Sequence, residues 1–454
     1  MSKYLYGASV QGIQEFIFAT NKLKEIVGAS ELVKQIEKEF EDNYQADDIL
    51  VNAAGNIKAV FNSKEECEKV VLEFSKKIQQ KAYGISISQA VVAFEGEYTQ
   101  SEIEKLEEKL KIQRNRVSIP LDISFNISKL NPSTAKPLIN KDSDKAIQQK
   151  LSAYEKIEKD EMFKELKNIS NSKNKLAVIH IDGNGLGEVI RNLQTPLSQF
   201  SKNLDKATNE AFNIAKEDKK LREIILGGDD VTVICNANDA LYFTKEFLEN
   251  FEVQTQKCIG SKLTACAGIA YTNEKYPFHY AVSLAEELCS QTKKQAKEIN
   301  ATLAPSSLMF HNIQSSNFQS WEKFVRDELS IPLPDNKKPI RLDFGAYYLN
   351  EKSQPSIDAL YVAVEAYRCN GSPISRLRSW LSELYKSTIS ANNLLERIND
   401  MVEQSDEWKS CIMDKNLKNF ESQLSSKKLL VEKDGYTKTP IYDILQVLSV
   451  TEAR

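Results

Sequence analysis

Residues 224–235, Ile-Ile-Leu-Gly-Gly-Asp-Asp-Val-Thr-Val-Ile-Cys, decide how this chain is read. Two apolar runs rich in Ile and Val flank Gly227, Gly228, Asp229 and Asp230. Such runs form short strands, and the glycines between them mark a tight hairpin. Asp229 and Asp230 are thereby raised on the rim of a sheet, beside glycines that let a phosphate approach the backbone. Magnesium-dependent nucleotide chemistry needs such a site. Gly and Asp are also ordinary turn residues, so the hairpin alone is equally a solvated turn.

The hairpin occurs twice. Ile49-Leu50-Val51, then Ala53-Ala54-Gly55-Asn56, then Ile57 to Phe61 precede a helical stretch from Lys64 to Lys77. The central copy has the same order and leads into a helical stretch from Ala240 to Phe251, and the two hairpins are offset by 174 residues, as from Gly55 to Asp229. A strand and helix precede each copy (Tyr4 to Ser9, then Ile13, Phe16 and Ile17; Leu176 to Asp182, then Leu186, Val189 and Ile190), and an alternating strand closes each (Ile85 to Phe94; Leu263 to Tyr271). Each copy is therefore β-α-β-β-α-β, an antiparallel sheet backed by helices. The expected fold class is α+β, with two tandem ferredoxin-like palm domains and an all-α C-terminal domain. The expected division is a first palm over 1–130, a helical connector over 131–172, a second palm over 173–312 and a helical domain over 313–454.

The copies differ where chemistry would sit. Gly55 stands in place of Asp229, Asn56 in place of Asp230, and Ser9, after a one-residue shift, in place of Asp182. The first palm is thus expected to hold nucleotide without catalysing, and only the second offers carboxylates. Asp182 ends the apolar run Leu176 to Ile181, and in a palm sheet it faces the hairpin across strands about 5 Å apart. Asp182, Asp229 and Asp230 are the candidate catalytic and metal-ligating residues, with Asp229 ranked ahead of Asp230 because consecutive strand residues point to opposite faces. A few hard oxygen ligands with an open side suit Mg²⁺ (or Mn²⁺), triphosphate oxygens completing the shell. Gly227, Gly228 and Asn184 are further candidate nucleotide contacts. Gly28 and Ser30, in Val27-Gly28-Ala29-Ser30, resemble the start of a helix over Glu31 to Phe40, whose amides would face an anion; Ser30 is equally an N-cap there. Lys293, at the end of an amphipathic segment from Ala281 to Lys297, can reach a triphosphate as a point charge.

The chain has 454 residues, enough for two to four domains. Its charged fraction of 27% and net charge of −4 place it among globular proteins without a global pull toward nucleic acid or anionic membrane. Contact with RNA is accordingly expected to be mostly indirect. No apolar stretch is long enough for a membrane span or a signal peptide. Seven scattered cysteines form no Cys-x-x-Cys pair, which points away from a zinc site or disulfide framework and toward the cytoplasm.

Together, Gly12-Ile13-Gln14-Glu15-Phe16-Ile17-Phe18, Ile26 to Leu32, Asp182-Gly183-Asn184, Gly227-Gly228-Asp229-Asp230, Ala267-Gly268-Ile269-Ala270 and Ala285-Glu286-Glu287-Leu288 leading to Lys293 resemble the large palm-polymerase subunit of type III CRISPR effector complexes. The tail, with Ser320-Trp321 and Thr439 to Asp443, is similar to that family's helical C-terminal domain. The resemblance implies that the paired palms bind ATP and that the second polymerises it into cyclic oligoadenylate, an antiviral second messenger. Asp182, Asp229 and Asp230 would carry Mg²⁺ or Mn²⁺, and Gly28, Ser30, Gly227, Gly228 and Lys293 would touch nucleotide. It also implies partner subunits of an RNA-guided complex, docked through the helical C-terminal domain. The family's His-Asp nuclease pair has no counterpart, so DNA cleavage is not expected. The connector lacks the cysteines of the family's zinc ribbon, which suggests a compact variant. Two other readings remain: another nucleotide cyclase or ATP-conjugate synthase of the palm class, and a non-catalytic scaffold subunit. A diguanylate-cyclase-like site would want a Glu and an aromatic after Gly-Gly-Asp, which Asp230-Val231 does not supply.

Overall fold

A computed structural model describes residues 2–53, 55–116, 128–157, 165–191, 193, 195–314, 320–333, 339–352, 354–407 and 429–452. The first palm comprises β1 (Ser2–Gln11), α1 (Ile13–Phe18), α2 (Leu23–Asn43), β2 (Asp48–Ala53), β3 (Asn56–Phe61), α3 (Lys64–Lys81), β4 (Ser86–Glu95) and α4 (Gln100–Arg114). Its strands lie in the order β2-β3-β1-β4, all antiparallel. The connector carries α5 (Lys145–Lys156) and α6 (Leu166–Ile169); part of the expected spacer, 158–164, lies outside the described residues.

The second palm repeats the pattern with β5 (Lys175–Gly183), α7 (Leu186–Arg191), α8 (Leu197–Lys216), β6 (Leu221–Gly227), β7 (Asp230–Asn236), α9 (Ala240–Ile259), β8 (Ala265–Asn273) and α10 (Phe278–Ile299). Its core order, β8-β5-β7-β6, is the same ferredoxin-like arrangement, and β9 (Ser307–Asn312) extends it by pairing parallel to β8. Leu176 to Ile179 and Ile181 of β5 are fully buried, with α9 and α10 packed against the strand. That explains a continuous apolar run where a half-exposed strand would alternate.

The C-terminal region has the expected helices: α11 (Trp321–Glu328), α12 (Ile357–Tyr367), α13 (Ile374–Leu384), α14 (Thr388–Gln404) and α15 (Ile441–Val450). It is not all-α, however. Strands β10 (Ser330–Ile331), β11 (Ile340–Arg341), β13 (Val431–Lys433) and β14 (Tyr436–Lys438) form a sheet in the order β10-β11-β14-β13, and β12 (Tyr347–Tyr348) joins β9 at the edge of the second palm. These strands are two or three residues long, too short to show a period of two in sequence. Cys67, Cys235, Cys258, Cys266 and Cys289 are free thiols, in keeping with the absence of a disulfide framework expected from sequence, while Cys369 is disulfide-bonded. No helix among the described residues is long and apolar enough to cross a membrane.

Gly28 needs a correction. The helix does not begin after it; α2 starts at Leu23 and places Gly28 in its interior, where the amides are already bonded within the helix. A Cβ on Gly28 would lie 1.8 Å from the Lys150 carbonyl oxygen of α5. The small residues are there to let two helices meet, and Gly28 has no amide to give a phosphate. Gly28→Val is expected to destabilise the chain by about 3 kcal/mol or more, because backbone must move. Gly187→Ala, in α7 with nothing within 4 Å of its would-be Cβ, should be neutral or stabilising by up to about 1 kcal/mol. Urea unfolding of the two variants checks both.

Candidate active site

The hairpin turns through two residues, Gly228 and Asp229, with Gly227 paired to Asp230. Gly228 has φ +62°, which a glycine adopts without strain at the first central position of a tight hairpin. The register then sets the chemistry. Asp182 on β5 lies directly opposite Asp230 on β7, so these two carboxylates share a face. Asp230, rather than Asp229, is therefore the cross-strand partner of Asp182. Asp229 reaches the same cluster from the turn by lying over Gly183: a Cβ at Gly183 would sit 2.8 Å from that of Asp229.

Helix α10 closes the same face. It lies against the sheet because Gly268, opposite His180 on the neighbouring strand, has no side chain; a Cβ there would be 1.9 Å from the Ala285 carbonyl oxygen. From that position α10 sends Lys293 to Asp182 in an ion pair, and the same ammonium donates to the Gly183 carbonyl at 2.8 Å. Glu286, two turns earlier on α10, stands near Asp230 and near Gln14 of the first palm. Glu286 Oε1 and Asp230 Oδ1 are both shut from solvent without a hydrogen-bond partner among the described residues.

The electrostatics follow from crowding acids into a half-buried place. Burial first, and then the Asp182 charge, push Asp229 and Asp230 up to about 7, against the opposing pull of Lys293. Glu286 is also pushed up to about 7, by burial and then by Asp230. His180 Nδ1 is 3.1 Å from Thr232 Oγ1 and 3.6 Å from Asp230 Oδ1, but burial drives its imidazole down to about 4. It is therefore a neutral wall of the site, not a counter-ion.

A groove of about 400 Å³ runs between the palms beside Asp230. Gly12, Gln14, Ser30, Lys34 and Asn56 line it from the first palm, and Ile224 to Gly227 from the second. The palms are tied across it. The Ser30 hydroxyl donates to the Ile224 carbonyl, and Lys34 Nζ is 2.8 Å from Glu223 Oε1. Phe278 N donates to Asn21 Oδ1 at 2.7 Å, and the Phe18 and Phe278 rings stack with centroids 6.3 Å apart.

The first palm shows the same site without charge. Ser9 lies opposite Asn56 in the register that Asp182 and Asp230 occupy, and the Ser9 hydroxyl donates to Asn56 Oδ1 at 2.9 Å. Helix α4 takes the place of α10 over that sheet, but it brings Leu106 and Leu110 into a small apolar core. A Cβ on Gly7 would lie 2.8 Å from Leu106.

Of the residues singled out from sequence, Asp182, Asp229, Asp230 and Lys293 come together, and Gly227 and Ser30 line the groove. Gly228 serves the turn, its carbonyl accepting from Thr208 Oγ1 at 2.5 Å. Asn184 does not reach the groove: its amide group donates to Thr264 Oγ1 at 3.1 Å and to the Ala304 carbonyl at 3.3 Å. His180, Gly183, Gly268 and Glu286 were not singled out as site residues. Their spacing from the carboxylates is set by register and by a helix crossing, which no local motif announces.

Among the described residues no three acidic, histidine or cysteine side chains form a ready cation cage; Asp182 is occupied by Lys293. The donor set nevertheless fits Mg²⁺, which is commonly held by one or two carboxylates plus substrate phosphates. Two acids raised to about 7, by burial first and then by the Asp182 charge, with a solvent-shut oxygen on Asp230 that no described residue hydrogen-bonds, make a place where added positive charge is favourable.

Residues 175–303 match the family model described as Cas10/Cmr2, second palm domain. The second palm is thus similar to the second palm domain of the Cas10/Cmr2 family. The chain is 26% identical over 229 residues to the single-strand-specific deoxyribonuclease Cas10/Csm1 (subtype III-A) of Streptococcus thermophilus, an alignment over 47% of this chain and 27% of that protein. It thus spans about a quarter of that relative's length. Its fold is that of crystallised Csm1–Csm4 cassettes. The complex with pppApApA matches at a TM-score of 0.60 and 13% identity over 98% of this chain and 69% of that one. The complex with cA4 matches at 0.59 and 13% over 99% and 70%.

The raised carboxylates predict a pH signature. Asp229 and Asp230 have folded values near 7 against 3.8 for an ordinary aspartate. The stability they lend by holding protons is complete below that lower value and is lost as pH rises toward 7. Asp229→Asn with Asp230→Asn is therefore expected to match the native chain near pH 4 and to be more stable at pH 8. The gain at pH 8 should be about 1–2 kcal/mol, discounted because the Asp230 side chain is 39% exposed. Urea midpoints across that range measure it.

Proposed function

We propose that the second palm is a metal-dependent nucleotidyltransferase that joins ATP units, bound in the groove between the palms, into cyclic oligoadenylate-type messengers with release of pyrophosphate. The reading rests above all on Asp182 and Asp230 facing each other across β5 and β7, with Asp229 beside them, at the end of an open inter-palm groove. Solved Csm1–Csm4 cassettes of this fold were crystallised with ATP, AMPPNP, pppApApA and cA4, which supports adenylate as the substrate class.

The residues divide the work by position. Asp182, Asp229 and Asp230 would hold Mg²⁺ (or Mn²⁺), which when bound supplies Lewis-acid activation of a hydroxyl and charge neutralisation on the leaving pyrophosphate. Lys293 balances Asp182 before substrate arrives. Gly227 keeps the groove wall beside Asp230 free of side chain, so that phosphates approach the hairpin backbone. Lys34 and Ser30 fix the width of the groove by tying α2 to β6. The first palm, with the neutral pair Ser9 and Asn56, holds nucleotide without activating it. We further propose that the chain works as a Cas10/Csm1-like subunit of a type III CRISPR effector complex, with α13 and α14 of the C-terminal region as the surface for partner subunits.

The test is product analysis. Purified chain with ATP and Mg²⁺ or Mn²⁺, alone and with an RNA-guided complex, is expected to give adenylate oligomers by mass spectrometry. Asp229→Ala with Asp230→Ala should lower the yield about a hundredfold or more. Absence of any phosphodiester product under every condition would overturn the proposal.

A further inference from the structure

A second cavity, about 730 Å³, lies away from the carboxylates, between α10, α11 and the small C-terminal sheet. Small-molecule sites commonly have volumes of about 300–1,000 Å³. Its wall is chemically selective. Lys294 of α10 lines it and makes no ion pair or hydrogen bond with the described residues, while the other charges on the wall are already engaged: Arg326 is paired with Asp327, and the Glu322 carboxylate accepts from Gln291 Nε2 at 3.4 Å. Arg341 lines it with a guanidinium already locked in place: both ends of the fork bind the buried Asp343 (Nε to Oδ1 2.8 Å), and the Tyr436 ring lies 5.1 Å from its centre. Trp321 presents an indole whose N–H donates to no described residue, although the rest of the side chain is buried.

An ammonium and an indole N–H without a partner among the described residues, together with a planar guanidinium fixed beside an aromatic ring, suit a ligand that is flat at one end and anionic at the other. The ammonium serves phosphate as a point charge, and guanidinium and aromatic planes serve as stacking surfaces. We infer that this cavity is a second site for a nucleoside phosphate, separate from the inter-palm groove and independent of divalent metal.

The cavity is coupled to the chemistry by α10. The residue before Lys294 is Lys293, which holds Asp182 and the Gly183 carbonyl. Glu287 of the same helix accepts from the Trp321 backbone N–H, and Gln295 accepts from that of Ala346 at 2.9 Å. A ligand drawn to Lys294 therefore bears on the helix that balances the catalytic carboxylates. This coupling rests on the function proposed above; the binding does not.

The experiment separates the two. AMP is titrated into the full chain in EDTA, which disables any metal-dependent binding in the groove, and the tryptophan emission is followed. Saturable quenching is expected that Trp321→Phe abolishes and Lys294→Glu weakens about tenfold. Ser330→Trp, which fills the cavity from β10, should also remove it. No saturable quenching, or quenching unchanged in both Lys294→Glu and Ser330→Trp, overturns the site. ATP consumption is then measured with and without AMP. A rate change of twofold or more in the native chain that Lys294→Glu loses supports the coupling, and equal rates in the native chain overturn it. Repeating the titration with a linear adenylate dinucleotide shows whether a mononucleotide or an oligonucleotide is the tighter ligand.

Discussion

Everything in the second palm is arranged around the repulsion between Asp182 and Asp230. Two acids opposite each other on paired strands, with a third in the adjoining turn, cannot all ionise cheaply away from water. The fold accommodates them in three ways. Lys293 places a cation on Asp182, and Asp229 and Asp230 retain protons to about pH 7. The hairpin also stands beside an open groove, not inside a closed core. A site that is strained by like charge in this way gains most when positive charge is added, which is the physical basis for assigning it to metal-dependent phosphate chemistry.

The same constraint explains the difference between the halves of the chain. Ser9 and Asn56 fill the register positions of Asp182 and Asp230, and a direct hydrogen bond satisfies them without any external ion. Once the charges are gone, the helix over the sheet no longer needs a lysine, and α4 brings leucines where α10 brings Lys293 and Glu286. One palm is therefore stable as it stands. The other is held in a state that a ligand would relieve. The groove lies between them, and α2 is tied to β6 across it through Ser30 and Lys34.

Much of this was legible in the sequence, because it depends on period and offset. The offset of 174 residues between the hairpins placed Asn56 against Asp230, and the one-residue shift placed Ser9 against Asp182; both equivalences hold in the strand registers. The duplicated β-α-β-β-α-β order followed from alternation and helix length. What escaped depends on long-range packing. Gly28 looks like a helix start in sequence because small residues serve equally at an N-terminus and at a helix crossing, and only the position of Lys150 tells them apart. Asn184 lies two residues after Asp182 in the chain but turns toward Thr264 and Ala304. Asp229 ranks ahead of Asp230 on sequence alone, yet the two-residue turn puts Asp230, not Asp229, in register with Asp182, which no local motif reveals. The C-terminal strands are too short to carry any period.

The most direct test converts one palm into the other. Asp182→Ser with Asp230→Asn gives the second palm the neutral pair of the first, and Mn²⁺ binding in the presence of a non-hydrolysable ATP analogue is measured by electron paramagnetic resonance. The account predicts a folded protein, at least as stable as the native chain at pH 8, whose nucleotide-dependent Mn²⁺ affinity has fallen by about tenfold or more. A folded variant that binds Mn²⁺ with native affinity would contradict it.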